Sequence, residues 1–382
     1  MTGAGFAARV LRLMNLLLFI SGLAALVLGA SLLVRGASKL ALSLGISPLV
    51  VGLTVVAFGT SAPEVAVSVG AVLDGNPDIA IGNVVGSNIF NVLFILGISA
   101  LITPLVVNSQ LIRQEVPIMI GASLLLLALG LDGTLSFWDG GVLLALLVVY
   151  TVFLVAQSRR ESKAASVASV ASAASAANDE TPLAAAARAW DDRLLAQIVL
   201  IVAGLVALVF GSDWLVTASI AFAKTLGVSD LVIGLTIVAA GTSMPEVATS
   251  ITAAIKGERD IAVGNVVGSN TFNILGCLGV SGLVSGDLGL AMAPSLLAFD
   301  IWVMIAVALA CLPVFLSGRE IARWEGAVFT AYYAAYVAYL VLAAQQHDAL
   351  KMFSTTMLSF VLPITLITMV VMLLRRPSHE AG

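Results

Sequence analysis

The sequence predicts an all-α polytopic membrane protein, an inverted-topology repeat of two five-helix halves followed by an additional C-terminal transmembrane helix. Composition, a series of long apolar segments and a motif that occurs twice predict this fold class. Of the 382 residues, 60% are hydrophobic and only 10% are charged, and the mean hydropathy is +1.09. Soluble domains carry roughly 25% charged residues. We therefore expect the lipid bilayer to cover most of the apolar surface.

Eleven apolar segments are long enough to cross a bilayer as helices. They cover residues 14–34, 47–73, 79–104, 116–131, 138–157, 194–215, 229–255, 261–285, 295–316, 326–344 and 353–374. Arg9 and Arg12 precede the first segment, as basic residues precede the apolar region of a signal peptide. However, this segment is longer than the apolar region of a typical signal peptide, and the second segment follows almost at once. We expect the first segment to be retained as a membrane helix.

The distribution of basic residues predicts the orientation in the membrane, because cytoplasmic loops are enriched in lysine and arginine. If the N-terminus is outside and the C-terminus inside, 14 of the 18 basic residues face inward. The four that face outward are Arg9, Arg12, Lys224 and Lys351. This predicts a multi-pass protein of the cytoplasmic (inner) membrane. The net charge of −4, with no basic stripe and no nucleic-acid-binding motif, argues against a nucleic-acid partner.

The repeated motif covers residues 47–99 and 229–281, which align without a gap at an offset of 182, with about 34 of 53 pairs identical. Two stretches recur almost letter for letter: GTSAPE at 59–64 and GTSMPE at 241–246, then GNVVGSNIFN at 82–91 and GNVVGSNTFN at 264–273. The copies lie five segments apart, and an odd number of crossings inverts the second copy. Inverted repeats of this kind are common in secondary transporters.

The segment pattern predicts four parts of the chain. The first half is 1–157, with its repeat at 47–104, and the second half is 194–344, with its repeat at 229–285. Between them, 158–193 reads as a cytoplasmic linker rich in alanine and serine, in which 183–190 is compatible with an interfacial helix. The additional transmembrane helix and a tail occupy 345–382. At about 36 residues, the linker is too short for a folded regulatory domain.

Each motif places polar oxygens near the middle of the membrane. Glu64, Glu246, Asn91 and Asn273 all lie close to the centres of their segments. A charged carboxylate at this depth costs at least about 2.5–3.5 kcal/mol, so we expect the two glutamates to be balanced by a cation or a proton. Oxygen ligands suit hard cations such as Ca²⁺ or Na⁺, whereas zinc and copper prefer imidazole and thiolate.

Helical spacing gathers the other candidate ligands around these residues. Thr60 and Ser61 precede Glu64 by one turn and share its face, while Ser87 and Asn91 are one turn apart on the following segment. The second repeat supplies the equivalents Thr242, Ser243, Glu246, Ser269 and Asn273. Hydrogen bonding between helices would explain any one hydroxyl or amide here. It does not explain a whole set that occurs twice.

A proline interrupts the first motif segment of each half. Pro63 has no N–H, so the carbonyl of Gly59 loses its helical partner, and Pro245 has the same effect on Gly241. Irregular backbone at membrane depth is tolerated where it lines protein or a cavity. Interruptions at matching positions of two halves point to a transport site.

The two pairs of motifs resemble the α-repeats of the cation/Ca²⁺ antiporter family, the sodium/calcium exchangers. This resemblance implies ten core helices in two inverted halves and a central cluster of four cation positions. It implies exchange of Ca²⁺ for Na⁺ by alternating access, in which the first and sixth spans slide against the rest. It also implies a transporter rather than an enzyme, with no cofactor beyond the transported ions, and we expect it to function as a monomer.

The resemblance also assigns roles to individual residues. The acidic ligands correspond to Glu64 and Glu246, and the carbonyls of Ala57 and Ala239 fall at positions that contact sodium. The hydroxyl ligands correspond to Thr60, Ser61, Thr242, Ser243, Ser87 and Ser269, and the amide or acid positions to Asn91 and Asn273. Some relatives carry Asp where Asn273 stands, and in the potassium-dependent branch an acid there is linked to potassium. With two carboxylates the site balances one Ca²⁺, and potassium independence is favoured.

Three alternatives remain open from the sequence. Carboxylates in apolar surroundings can exchange protons, so a proton/Ca²⁺ or other cation antiporter fits the same residues. A passive cation channel fits less well, because filters are usually symmetric rings and here the two-fold site lies in one chain. An intramembrane enzyme with Ser61 or Ser243 as nucleophile would need a base, and the motif segments contain no His or Lys.

Overall fold

The computed structural model describes residues 3–175, 191, 193–226, 236–237 and 239–374. In this part of the chain, nine helices are long and apolar enough to cross a membrane, and a bent pair of helices makes a tenth. The seventh predicted segment, 229–255, is described only in part. Each of the eleven predicted segments coincides at least partly with a described helix, and the chain is a multi-pass membrane protein.

The first half is helical almost throughout. Its helices are α1 Gly3–Leu44, α2 Pro48–Val51, α3 Ala57–Thr60, α4 Ala62–Leu73, α5 Pro77–Phe90, α6 Gly97–Ile102, α7 Val116–Leu129 and α8 Phe137–Ser175. π-helical turns join α2 to α3 at Gly52–Val56, join α5 to α6 at Asn91–Leu96, and lead into α7 at Leu111–Glu115. Helix α8 continues through 158–175, which belong to the predicted linker. The proposed interfacial helix at 183–190 lies outside the described residues.

The second half repeats this order. Its helices are α9 Leu194–Thr225, α10 Ala239–Gly241, α11 Met244–Ile255, α12 Arg259–Phe272, α13 Leu278–Ser285, α14 Ile301–Leu316 and α15 Arg323–Ala344. The additional membrane helix consists of α16 Ala349–Thr356 and α17 Leu362–Leu374, joined by a π-helical turn at Met357–Val361. Two more π-helical turns, Asn273–Cys277 and Leu296–Asp300, match turns of the first half; Gly286–Leu288 is a 3₁₀ turn.

Two short antiparallel strand pairs join the halves. Strand β1 (Leu105–Val106) pairs with β4 (Glu320–Ile321), with Leu105 opposite Ile321. Strand β2 (Thr134–Leu135) pairs with β3 (Leu290–Ala291), with Leu135 opposite Leu290. Because each pair takes one strand from each half, the two halves form one hydrogen-bonded unit and not two separate bundles.

The two-fold relation extends beyond the sequence repeat. Glu115 ends the π-helical turn before α7 and accepts a hydrogen bond from the Tyr150 hydroxyl of α8 at 2.7 Å. Asp300 ends the matching turn before α14 and accepts one from the Tyr336 hydroxyl of α15 at 2.8 Å. These pairs are offset by 185 and 186 residues (300 − 115 and 336 − 150), so an alignment at an offset of 182 does not reveal them.

Helices α1 and α9 pack against each other along most of their length. A Cβ atom on Gly204 would lie 2.8 Å from the carbonyl oxygen of Gly29, and one on Gly211 would lie 2.9 Å from that of Gly22. The reciprocal distances, from a Cβ atom on Gly29 to the Gly204 oxygen and from one on Gly22 to the Gly211 oxygen, are both 2.8 Å. They agree because the two-fold axis relates the two glycine pairs. Small residues let membrane helices approach this closely, and here the backbones themselves touch.

Burial increases from the outside of the bundle toward the repeats. The most apolar stretch of Arg259–Leu288, the segment that contains α12 and α13, is completely buried, and that of Pro77–Ile102 is mostly buried. The most apolar stretch of the last helix, Ala349–Val371, contains no buried residue. The polar motifs therefore lie at the centre of the bundle, and the additional helix lies at its periphery.

Candidate cation site

Both halves break their helix at the predicted place. In the first half the axis bends by 42° between Pro48–Thr60 and Ala62–Leu73. Ser61 at the break has φ −83° and ψ 6°, and Ser243 has nearly the same values, φ −86° and ψ 8°. Each of these serines lies two residues before a proline, which cannot donate the next backbone hydrogen bond. The same local sequence therefore produces the same backbone turn in the two halves.

The two breaks face each other, and their side chains bond across the halves. The Ser243 hydroxyl donates to Glu64 Oε1 at 2.8 Å, and the Ser61 hydroxyl donates to Glu246 Oε1 at 2.9 Å. Both glutamates are fully buried. Each serine thus binds the carboxylate of the other half, and not the one three residues further along its own chain. The two carboxylates consequently belong to one site.

Helices α5 and α12 contribute the next hydroxyl groups. The Ser87 hydroxyl lies 3.2 Å from that of Ser243, and the Ser269 hydroxyl donates to Glu246 Oε1 at 3.5 Å. Both Ser87 and Ser269 are buried. The structure therefore brings these two predicted residues to the carboxylates from opposite sides of the two-fold axis.

The two threonines contact asparagines of the opposite half. The Thr60 hydroxyl donates to Asn265 Oδ1 at 3.1 Å, and the Thr242 hydroxyl donates to Asn83 Oδ1 at 3.4 Å. The Asn265 amide nitrogen donates in turn to the Ser250 hydroxyl at 2.9 Å, and the Asn83 amide nitrogen donates to the Ser68 hydroxyl at 3.0 Å. Because each threonine hydroxyl directs its hydrogen to an asparagine, the lone pairs of the hydroxyl oxygen stay available as acceptors.

The two predicted asparagine ligands also reach across the axis. Asn91 Nδ2 donates to Asn270 Oδ1 at 3.0 Å, and Asn273 Nδ2 donates to Asn88 Oδ1 at 3.1 Å. In both cases the amide nitrogen is engaged, and the oxygen of the same amide is not.

Four buried oxygens of this cluster have no hydrogen-bond donor among the residues that the structure describes: Glu64 Oε2, Glu246 Oε2, Asn91 Oδ1 and Asn273 Oδ1. A buried acceptor without a donor destabilises a protein by about 1–3 kcal/mol, and more when it is charged. A cation stripped of water is the kind of partner that carboxylate and amide oxygens of this type accept. Among the described residues, no group of three or more His, Cys, Asp or Glu could hold a metal. A cation here would therefore rely on two carboxylates and several neutral oxygens.

The backbone carbonyls near the breaks accept hydrogen bonds within the protein. The Ala57 carbonyl accepts the Ser61 N–H at 3.0 Å, and Ala239 begins α10 at the equivalent position. The Gly241 carbonyl, which loses its helical partner through Pro245, accepts the hydroxyl of Ser212 of α9 at 2.7 Å. This carbonyl is therefore bonded to a neighbouring helix.

Some residues of the cluster were not singled out from the sequence. They are Asn88, Asn270, Ser68, Ser250 and Ser212. The first four recur at the offset of 182, and this recurrence would have identified them. Asn88 and Asn270 were overlooked because each directly follows a predicted serine. They therefore do not share the helix face on which Ser87 and Asn91, or Ser269 and Asn273, lie one turn apart. Ser212 has no such counterpart, since Ala30 occupies the equivalent position.

Two inverted halves that share one buried site made only of oxygen atoms define the class of secondary transporters. Sequence comparison identifies the family within this class. The family described as sodium/calcium exchanger protein matches residues 14–156 and 196–342. The chain belongs to this family of cation/Ca²⁺ antiporters, and the resemblance seen in the motifs is confirmed.

Individual relatives agree with the family assignment. The sodium/calcium exchanger MaX1 of Methanosarcina acetivorans is 36% identical over 346 residues, which cover 85% of this chain and 98% of the relative. The putative antiporter CaxA of Alkalimonas amylolytica is 36% identical over 311 residues, or 80% and 92% of the two chains. A solved structure of the sodium-calcium exchanger NCX_Mj superposes with a TM-score of 0.70 at 30% identity, covering 86% of this chain and 99% of that one.

Proposed function

We propose that this protein exchanges Ca²⁺ for Na⁺ across the cytoplasmic membrane by alternating access. The observation that carries the proposal is the set of four buried oxygens without donors, two from carboxylates and two from amides. Their charge and number suit a desolvated hard cation. Ca²⁺ takes six to eight oxygen ligands, and the hydroxyls of Ser61, Ser243, Ser87 and Ser269, with those of Thr60 and Thr242, supply further oxygens around the carboxylates.

Charge supports the exchange of one divalent for several monovalent cations. The hydrogen-bond partners of Glu64 and Glu246 are neutral hydroxyl groups. Two carboxylates balance one Ca²⁺, and the same negative charge attracts Na⁺. The carbonyls of Ala57 and Ala239 keep their proposed role at the sodium positions. The Ala57 carbonyl accepts the Ser61 N–H at 3.0 Å and also lies 3.4 Å from the Thr60 hydroxyl. The single hydrogen of that hydroxyl has a shorter contact with Asn265 Oδ1 at 3.1 Å, which leaves the second lone pair of the carbonyl for an ion.

The pair α1–α9 supports the proposed mode of transport. Because the glycine contacts leave no room for side chains between the two backbones, the pair is expected to move as one rigid unit. Helix α9 of this pair borders the site: Ser212 binds the Gly241 carbonyl, and a Cβ atom on Gly59 would lie 2.6 Å from the Leu205 side chain. Sliding of this unit would expose the carboxylates to one side of the membrane at a time.

The packing of this unit is unequal on the two sides. Helix α1 packs along α11, and the Lys256 ammonium after α11 donates to the Ser31 carbonyl of α1 at 3.1 Å. The equivalent helices α9 and α4, both fully described, make far less contact. With the N-terminus outside and the C-terminus inside, Lys256 faces the cytoplasm. The inner passage is then closed, and this conformation faces outward.

An ion-replacement flux assay tests the proposal. The full chain is reconstituted into sodium-loaded liposomes, diluted into sodium-free buffer, and ⁴⁵Ca²⁺ uptake is followed. We expect rapid uptake that disappears when choline replaces the internal Na⁺. Uptake under a proton gradient but not a sodium gradient would show a proton/Ca²⁺ antiporter instead. Flux that needs no counter-ion would show a channel.

Because both halves of the site lie in one chain, liposomes with one protein each should transport at full specific activity.

A further inference from the structure

We propose that Asn88 and Asn270 are positioning residues that turn the amide oxygens of Asn91 and Asn273 toward the cation and so set cation affinity without touching the ion. The inference rests on the proposed cation site. It concerns four asparagines at the crossing of α5 and α12, which we call the amide lock: Asn88, Asn91, Asn270 and Asn273.

The inner pair of the amide lock is held by backbone. Asn88 Nδ2 donates to the Asn270 carbonyl at 3.1 Å, and Asn270 Nδ2 donates to the Asn88 carbonyl at 3.1 Å. Both side chains are only 2% exposed. A backbone carbonyl can only accept, so the nitrogen of each amide has to point toward it. The side-chain oxygen must then point the other way.

These oxygens receive the outer pair. Asn88 Oδ1 accepts from Asn273 Nδ2 at 3.1 Å, and Asn270 Oδ1 accepts from Asn91 Nδ2 at 3.0 Å. If either outer amide were reversed, two oxygens would meet without a hydrogen between them. The backbone contact therefore determines the orientation of the inner amide, and the inner amide determines that of the outer one. The two outer oxygens are the ones without donors.

The chemistry of an amide explains why such a lock is needed. A carboxylate presents an acceptor whichever way it turns, so Glu64 and Glu246 offer oxygen to a cation in any flip state. An asparagine turned by 180° would present N–H hydrogens to the cation and repel it. With amides at both Asn91 and Asn273, half of the four oxygens without donors depend on correct orientation.

A double-mutant cycle tests the inference by direct binding, without any need for transport. ⁴⁵Ca²⁺ and, separately, ²²Na⁺ are titrated onto the purified full-length chain in detergent. Asn88→Leu keeps the shape of the side chain but removes the acceptor for Asn273. We expect cation affinity to fall by about tenfold, as when a partner that orients a metal ligand is removed. Asn273→Leu removes the ligand oxygen itself and should reduce affinity by at least as much.

The cycle separates positioning from packing. If Asn88 acts through Asn273, the double variant Asn88→Leu/Asn273→Leu should bind no more weakly than Asn273→Leu alone. The matched control Asn88→Leu/Asn91→Leu should show additive losses, because Asn91 is oriented by Asn270. The second half offers the mirror cycle of Asn270→Leu with Asn91→Leu. Asn88→Ser, which is smaller and keeps an oxygen, replaces the leucine variant if that variant does not fold.

Two results would overturn the inference. One is an additive loss in the cycle of Asn88 with Asn273. The other is a leucine or serine variant that binds both ions like the wild type and only melts at a lower temperature. Flux measured on the same preparations keeps the two proposals apart. Wild-type protein that binds Ca²⁺ but shows no sodium-driven uptake refutes the exchange mechanism. The double-mutant cycle of binding then still tests whether Asn88 and Asn270 orient the outer amides. Wild-type protein that binds neither ion refutes both.

Discussion

The two halves contribute matching polar side chains to one cluster, but helix α9 contacts the two halves in different ways. In the second half, the hydroxyl of Ser212 binds the carbonyl of Gly241 at 2.7 Å. In the first half, the position equivalent to Ser212 is Ala30 of α1, and Gly59 lies against the Leu205 side chain of α9. Residues that repeat therefore build the site. Residues that do not repeat, such as Ser212, make the contacts of α9 with the two halves unequal.

The largest expected effect tests the symmetric part of this comparison. Glu64→Gln and Glu246→Gln each remove one of two charges and replace an acceptor oxygen by a donor. We expect each variant to reduce Ca²⁺ exchange by more than about 100-fold, which corresponds to about 2.8 kcal/mol at about 1.4 kcal/mol per tenfold step. The two losses should be equal because the two glutamates occupy equivalent positions. ⁴⁵Ca²⁺ flux in liposomes measures the loss, and the elution profile of the purified protein verifies folding. Full exchange by either variant would remove that glutamate from the site.

The matched control is Glu115→Gln. Glu115 is also a fully buried carboxylate, but it binds Tyr150 away from the cluster. We expect this variant to retain exchange. A loss as large as that of the motif variants would mean that any buried charge, and not the paired site, limits transport.

The next effect concerns the contact between α1 and α9, which should respond equally from both sides. Gly29→Ala and Gly204→Ala each insert a Cβ 2.8 Å from the carbonyl oxygen of the facing glycine. Overpacking of this kind costs about 1–3 kcal/mol, so we expect a lower melting temperature and exchange slowed by about tenfold. Gly121→Ala in α7 is the control, because a Cβ there meets none of the described atoms within 4 Å. An unchanged Gly204→Ala variant would contradict the rigid pair.

A third carboxylate tests whether the two amide positions are equivalent. Asn91→Asp and Asn273→Asp each raise the charge of the site from two to three carboxylates. Added Coulomb attraction amounts to a few kcal/mol even at an effective dielectric constant of about 20. We expect half-saturating Na⁺ to change by about tenfold, with the fold retained. Titration of the Ca²⁺ flux with Na⁺, in the presence and absence of K⁺, measures the half-saturating Na⁺ concentration. Unchanged ion dependence in both variants would count against a ligand role.

The smallest effect tests the asymmetric contact. Ser212→Ala removes one hydrogen bond to the Gly241 carbonyl, a contribution of about 1 kcal/mol, or about fivefold in a conformational equilibrium. Half-saturating Ca²⁺ measured from the two faces of the membrane should therefore shift in opposite directions. Ala30→Ser, which places a hydroxyl at the mirror position, should shift them the other way. Equal shifts on both faces would assign Ser212 to general stability.

Much of the fold could be predicted from residue periodicity and from the repeat. The repeat predicted the inverted halves, and Pro63 and Pro245 predicted where the helices break. The end of α8 was not predicted, since 158–175 carry the small, polar composition of a linker yet remain helical. Alanine favours helix in the absence of other constraints, and that preference outweighed the compositional change at the membrane surface.

The sequence predicted which polar side chains gather at the centre of the bundle, but not which of them bond to each other. Spacing placed Ser61 beside Glu64 on one helix face, and the structure pairs Ser61 with Glu246. Spacing within one helix contains no information about how two bent helices meet. The bonds of Asn88 and Asn270 likewise reach the other half, so spacing could not show which partners they have.

The sequence by itself determined which atoms are available: a carboxylate, hydroxyls and amides at membrane depth, each present once in either half and so twice in opposite orientation. It did so because insertion into lipid selects apolar residues everywhere that function does not require otherwise. Only the tertiary structure decided which oxygens remain without donors, because hydrogen bonding across the two-fold axis engages the amide nitrogens of Asn91 and Asn273 and leaves their oxygens unbonded. It also decided which contacts of α1 and α9 differ between the halves, because those contacts involve residues that do not repeat.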